Sequence, residues 1–413
     1  MKLSWYHSIL VIGVVAIFYT NVSEFLHRLD PTNPQLLPKN WVIAFSVAAI
    51  PILFLRQGAV GATLRSPLTL WCFGYLWVSL FWFFFSSQDE GSWGEVRLRI
   101  LAIIELVVFA MILSYPAALQ LARRLLVVAV LWGVALNVYE MFVPGTFSEV
   151  FGRSAGFYRN PNISGEALLL GMILGTTVLH SRYRTLFVLV SGLGILTTLS
   201  RANILAWGLS VAGFIIFGHL RGKDLVISLF GVFSVGLLLL LPRLDQLLTA
   251  WERAGLFNRD VLERLEWFAD PFGVSDHSSW SRAQVAKEAW DKFAQSPFFG
   301  HGTGSSSALS LGTHNQYLTF MLDHGIIGAT ILPVFLLALL RYADGPTRQI
   351  GQIFALSILM LAFGTHNLLE NECSLFLFSL MGAMAAVHHS GAPRLAGNFH
   401  VLPPSGLSAT IKA

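Results

Sequence analysis

Polar and apolar residues alternate along this chain in long blocks, with no short-period pattern. Apolar stretches fall at about 5–22, 40–56, 67–86, 98–115, 121–143, 163–180, 184–200, 202–220, 224–241, 322–341, 349–367 and 372–388, separated mostly by short polar segments. Crossing about 30 Å of hydrocarbon at 1.5 Å per residue takes roughly 20 apolar residues. The pattern therefore predicts an all-α, polytopic membrane protein with about twelve transmembrane helices. Strand-like alternation is absent, which disfavours a transmembrane β-barrel. The first stretch has a short polar start but no convincing small-residue cleavage site after it, so it reads as a retained helix.

Composition supports a lipid solvent. Of 413 residues, 54% are hydrophobic and only 12% charged, about half the charged share of a soluble domain. Mean hydropathy is +0.64. The 32 Phe and 12 Trp supply rings for the headgroup belts. Two cysteines, Cys72 and Cys373, give neither a disulfide framework nor a zinc spacing.

The net charge of +4 is explained by its distribution and does not call for a nucleic-acid partner. With a cytoplasmic N-terminus, the inner segments hold 13 Lys and Arg and the short outer loops hold 7, the bias of cytoplasmic loops. The remaining 7 lie in the long segment 242–321, to which the rule does not apply because long loops translocate regardless of charge. The chain divides into 1–241 (spans one to nine), 242–321 (a periplasmic loop), 322–388 (spans ten to twelve) and 389–413, a cytoplasmic tail.

The long loop opens on PRLDQLLTAWERAGLF (242–257), whose Leu244, Leu247, Leu248, Trp251 and Leu256 are near helical spacing and predict a helix lying along the membrane surface. A second helix is expected from the capping-box pattern Ser281-Arg-Ala-Gln to just before Pro297, with Arg282 in its first turn. Gly300, Gly302, Gly304 and Gly312 follow. Their spacing matches neither a P-loop nor a dinucleotide fingerprint, so as a phosphate cradle the stretch is weak alone.

Span parity puts Arg153, Arg159, Arg201, Arg282, His314, His366 and Glu370 on the outer side. Arg201 stands between two spans with almost no polar spacer, and an ionisable group at the membrane lip is a functional candidate by default. Arg153 and Arg159 flank the Asn160-Pro161-Asn162 turn that leads into a span, where guanidinium and free helix amides both favour an anion. His314 can act as a general base near neutral pH. Its tetrapeptide Gly-Thr-His-Asn recurs at 364–367, placing His366 with Glu370 and Glu372 in a second polar cluster. Glu105, Glu140 and Glu166, in or near apolar runs, could pair with the arginines or line a polar cavity.

Several arginines, one histidine and no metal-ligand cluster suggest handling of a phosphate or pyrophosphate without metal or cofactor. A transporter would place its substrate groups near the midplane and often show related halves. Here the charges gather at one face, and the long loop has no counterpart in the first half.

Four segments, GRSAGFYRNPN (152–162), LTTLSRAN (196–203), SRAQVAKEAWDKFAQSPFFGHGTG (281–304) and THNQYLTFMLDHGIIG (313–328), in this order resemble the bacterial O-antigen ligase and polymerase superfamily. The resemblance implies a GT-C-like, metal-independent glycosyltransferase of the periplasmic leaflet of the inner membrane. Its donor would be a glycan on undecaprenyl pyrophosphate. Its acceptor would be a sugar hydroxyl of lipid A-core for a ligase, with a polymerase or O-oligosaccharyltransferase as the alternative. It also implies Arg201 and Arg282 on the pyrophosphate and His314 as general base, with Arg153, Arg159, Asn162, His366 and Glu370 in substrate binding. The modest loop and the lack of an added soluble domain favour ligase. Partners beyond these substrates and membrane lipids are not identified by the sequence.

Overall fold

The computed structural model describes residues 3–55, 57–240, 258–269, 277–308 and 312–389, with isolated positions at 249, 252 and 255–256. Among them are α-helices, short 3-10 turns and one π-helical turn, and no strand. The N-terminal half comprises α1 (Trp5–Gly13, running into a π turn at Val14–Tyr19), α2 (Val22–Leu29), α3 (Pro38–Leu55), α4 (Gln57–Leu64), α5 (Pro67–Phe83), α6 (Glu90–Leu113), α7 (Pro116–Phe142) and α8 (Pro161–Thr176). Then come α9 (Ser181–Leu196), α10 (Arg201–Ile216), α11 (Gly222–Leu240), α12 (Arg259–Ala269), α13 (His277–Gln295), α14 (Gln316–His324), α15 (Gly328–Leu340), α16 (Gly345–Leu361) and α17 (Glu372–His389).

Local chemistry sets many of the restarts. Ser66 and Asn160 cap α5 and α8 by accepting from Thr69 N and Asn162 N, each ahead of a proline at the first helical position, where the missing N–H costs nothing. Asn21, at φ +58°, turns the chain through 60° between the π turn and α2, a left-handed position that asparagine tolerates.

A helix lies along each of the twelve expected stretches. Among the described residues, three are long and apolar enough to cross a membrane alone: α3, α7 and Gln316–Leu340, in which a 3-10 turn at Gly325–Ile327 joins α14 to α15, and the bent pair Trp5–Tyr19 and Val22–Leu29 is a fourth candidate. Others are short; α8, α9 and α10 have 16 residues each, about 24 Å. Outward-facing Phe54, Trp77, Ile216, Phe230 and Leu337 are exposed, as lipid-facing side chains would be.

The last helix is the centre of the bundle. Along α17, Leu375, Phe376, Leu377, Phe378, Leu380 and Met381 are all fully buried, and the helix packs on α6, α8 and α15. A helix apolar on every face is at home in a protein interior or in lipid, and this one lies in the interior. Next to it, α8 is buried from Ser164 to Thr176. Its Gly165 and Gly171 allow the Asn203 amide and the Tyr19 hydroxyl to within 2.4 and 2.2 Å of where a Cβ would stand, close approach of the kind small residues permit between membrane helices.

Two local expectations change. The helix carrying Arg282 begins at His277, so Ser281 lies a turn inside α13 and its pattern is no capping box; Arg282 is in the second turn. His277-Ser-Ser-Trp280 contains no glycine or proline to break a helix, so the helix runs back through it. The glycine stretch is spent on structure. Gly302 (φ +92°) packs on the backbone of Ser86, and Gly304 (φ +88°) on that of Ser92. The amides of Gly304 and Ser306 donate to the Asp323 carboxylate at 3.1 and 3.0 Å, leaving neither for a phosphate. The expected surface helix over 242–257 lies largely outside the described residues, as does the tail beyond His389.

Candidate functional site

Ser200 precedes α10 and Arg201 is its first residue. The preceding Leu199 adopts φ +49°, a conformation that is costly for a branched side chain and persists only where the surroundings impose it. Those surroundings are two buried arginines. Arg264 on α12 donates to Leu199 O at 3.1 Å and pairs with Asp260. Arg153 donates to Thr198 O at 2.8 Å and to Asn162 Oδ1 at 2.9 Å. The turn that presents Arg201 is thereby fixed to α12, to the 143–160 loop and to the start of α8.

That loop is itself shaped by Glu140. Its carboxylate accepts the amides of Phe147 and Ser148 on one oxygen and those of Ala155 and Gly156 on the other, at 2.8 Å for Phe147 and Ala155 and 3.1 Å for Gly156. A carboxylate that meets backbone donors in this way needs no arginine partner.

Arg201, Arg264 and Arg282 line one cavity of about 90 Å³, with Asn162, Glu166, Asn203, Gly364 and Thr365 among the other walls. Arg201 also donates to Glu263 O at 3.3 Å, and its guanidinium stands 5.6 Å from the Trp267 ring centroid. Three guanidiniums face a single carboxylate there, Glu166, which accepts from Ser374 Oγ at 2.6 Å. The N-terminal turns of α8 and α10 open on the same space through Asn162 and Arg201, so helix dipoles add to the positive potential. Burial, then the Arg264 guanidinium and less so those of Arg282 and Arg201, pull the Arg153 pKa down to about 9 against the opposing effect of Asp260. This records how densely cations are gathered; Arg153 remains charged at neutral pH.

His314 precedes α14 at φ +49°. Its ring meets that of His366 edge to face, centroids 5.3 Å apart and planes at 83°, while Gly312 leaves room for His366 Nε2 2.6 Å from where a Cβ would stand. The two Gly-Thr-His-Asn repeats thus converge in space. Burial, the Arg282 charge and His366 push the His314 pKa down to about 4. Its ring is neutral at physiological pH and can accept a proton. His366 is shifted in the same direction by burial, and its Nδ1 has no hydrogen-bond partner among the described residues.

The candidate residues therefore separate into groups. Arg201, Arg282 and Asn162 share the arginine cavity, Arg153 braces it from behind, and His314 with His366 stands beside Arg282. Arg159 and Glu370 are not in that cavity. Arg159 is exposed, pairs with Glu24 and Glu149, and lines a different cavity together with Glu370. There burial, then Glu95, push the Glu370 pKa up to about 8.

Sequence reasoning missed Arg264, which nothing in an exposed-looking RDVLERLEWF helix distinguishes from Arg259. It also missed the buried pair of Arg99 and Asp323, with His324 Nε2 at 3.0 Å from the same guanidinium. The signal was available: Asp323-His324 is part of the THNQYLTFMLDHGIIG segment, and Arg99 lies inside an apolar run.

Comparison with curated proteins gives no match. The family model described as O-Antigen ligase matches residues 186–332, the stretch that carries Arg201, Arg264, Arg282 and His314. With helices long and apolar enough to cross a bilayer, the chain is a membrane protein, and over residues 186–332 it is similar to the family described as O-Antigen ligase.

Proposed function

We propose that this chain is an O-antigen ligase, transferring a glycan from undecaprenyl pyrophosphate to a sugar hydroxyl of lipid A-core at the periplasmic face of the inner membrane. The observation that carries this reading is the meeting of Arg201, Arg264 and Arg282, from three separate elements, in one cavity with the neutral His314 under the influence of Arg282. Planar guanidiniums suit phosphate oxygens in bidentate contact. Twelve spans, a GT-C-like arrangement, the domain divisions at 241, 321 and 388, and cytoplasmic termini belong to the same proposal.

In the proposed reaction the acceptor hydroxyl oxygen attacks the anomeric carbon while the bond from that carbon to the pyrophosphate oxygen breaks. The hydroxyl proton passes to His314. The electron pair leaves with the pyrophosphate, whose growing charge is met by Arg201 and Arg282, as transition-state stabilisation requires. Single displacement inverts the anomeric centre, and the arginines supply the positive charge for which other enzymes use a metal ion. Asn162 orients the donor next to Arg153, and His366 holds the His314 ring.

A deletion strain tests the assignment. Loss of all polymeric O-antigen from lipid A-core, with polymer accumulating on its carrier lipid, supports a ligase. Core bearing a single repeat unit would show a polymerase instead.

A further inference from the structure

A second cavity, of about 510 Å³, opens on the other side of the first turn of α8: Asn160 and Ile163 line it, whereas Asn162 and Glu166 line the arginine cavity. Its size falls within the roughly 300–1,000 Å³ of small-molecule sites. Five carboxylates line it, Glu24, Glu105, Glu149, Glu370 and Glu372, against Lys39 and Arg159. Glu24 and Glu149 are taken by Arg159. That leaves Glu105, Glu370 and Glu372, the last already accepting from Ser23 Oγ at 2.7 Å, in a lining whose other cation is the exposed Lys39.

Glu105 is the telling residue. It is 5% exposed, and its Oε2 has no hydrogen-bond partner among the described residues. An unmet buried carboxylate oxygen is costly and calls for an explanation. The half-buried Asn371 also holds a side-chain amide nitrogen without a partner, so the cavity offers both an acceptor and a donor unused. The described residues contain no His, Cys, Asp and Glu grouping suited to a metal ion. The open acceptors and donors, the carboxyl groups that have no cation beside them and apolar walls such as Val42 and Leu101 suit a hydroxyl-rich ring whose amine would supply the missing positive charge.

We propose that this cavity is a saccharide subsite for an amino sugar, with Glu105 and Glu372 receiving its ammonium group and Asn371 its hydroxyls. The proposal deepens the ligase reading by giving the protein a sugar site separated from the pyrophosphate site by one turn of α8. The amino sugar can belong to the acceptor core or to the donor glycan.

Calorimetry on the purified full chain in lipid nanodiscs tests this without turnover. The probes are a glucosamine tetrasaccharide, its fully N-acetylated counterpart and inorganic pyrophosphate. The amine-bearing tetrasaccharide should bind and the acetylated one should bind at least about tenfold more weakly, the scale of one lost desolvated charge contact. Glu105→Gln with Glu372→Gln should remove that difference while pyrophosphate binding is unchanged. Lys39→Glu, at an exposed position and safe for folding, should tighten the amine-bearing probe. Displacement of the probe by core oligosaccharide assigns the site to the acceptor, and displacement by carrier-free donor glycan assigns it to the donor; displacement by neither overturns the proposal. Equal binding of both tetrasaccharides, or no response to Lys39→Glu, also overturns it. Failure of pyrophosphate to bind would instead count against the ligase reading and leave the sugar result to be judged separately.

Discussion

His314 and His366, which stand in two copies of one tetrapeptide 52 residues apart, meet edge to face with ring centroids 5.3 Å apart. The contact holds one imidazole beside Arg282 and, with burial, keeps it neutral. A base of this kind is set by its surroundings and not by the ordinary histidine pKa of about 6.5.

Its pH profile follows. Because the His314 pKa is lowered to about 4, the proton-accepting form persists as pH falls through the usual histidine range. Turnover should stay level from neutral pH to about 5 and then fall as His314 takes up a proton near 4. Arg282→Gln, which removes one of the charges that lower this pKa, should move the acid limb toward higher pH. A profile of kcat against pH for both proteins checks the sign of each change.

His314→Ala should lower turnover by about 10²–10⁴-fold, the usual contribution of general acid–base catalysis, with donor affinity nearly unchanged. Arg201→Ala should lower kcat by roughly 10²–10³-fold, the scale of losing one transition-state donor. Arg201→Lys should recover only part, since an ammonium lacks the planar fork. Initial rates with purified lipid-linked donor and acceptor distinguish these outcomes, and ordinary turnover by His314→Ala would refute the general-base role.

Much of this site was legible in the sequence because its residues break local rules. Arg201 stands where two apolar runs nearly touch, and His314 ends a glycine-rich stretch. Charge in an apolar setting is visible without a structure. Arg264 was not legible, because its burial comes from packing against the Leu199 turn 65 residues earlier, and periodicity carries no record of such a contact. Arg159 erred the other way: beside a helix N-terminus it resembled an anion site, yet the fold brings Glu24 and Glu149 to it. The start of α13 was misplaced because a capping pattern is a local signal that the residues before it can override.

The pair of Arg99 and Asp323 holds α6, α14 and the glycine loop together. Asp323→Ala would leave a buried guanidinium without its partner, a change that typically costs about 3–5 kcal/mol. Thermal unfolding in detergent should show a large loss of stability, and Asp323→Asn, which keeps part of the hydrogen bonding, a smaller one.

Gly328→Ala should also destabilise. The added Cβ would stand 1.9 Å from Phe320 O, so the break between α14 and α15 must open, at a cost of about 1–3 kcal/mol, typical of overpacking. Gly218→Ala, with open space around its Cβ but φ +73°, should cost less. Paired thermal melts compare the two.

The most direct measurement of the central claim is transfer by the purified chain in nanodiscs, supplied with an undecaprenyl-pyrophosphate-linked glycan and lipid A-core in the presence of EDTA, with the product's anomeric configuration read by NMR. Joining of glycan to core should be metal-independent and inverting, and Arg201→Ala should slow it by roughly 10²–10³-fold. Retention of configuration, dependence on a divalent ion, or transfer only onto a second lipid-linked glycan would contradict that claim.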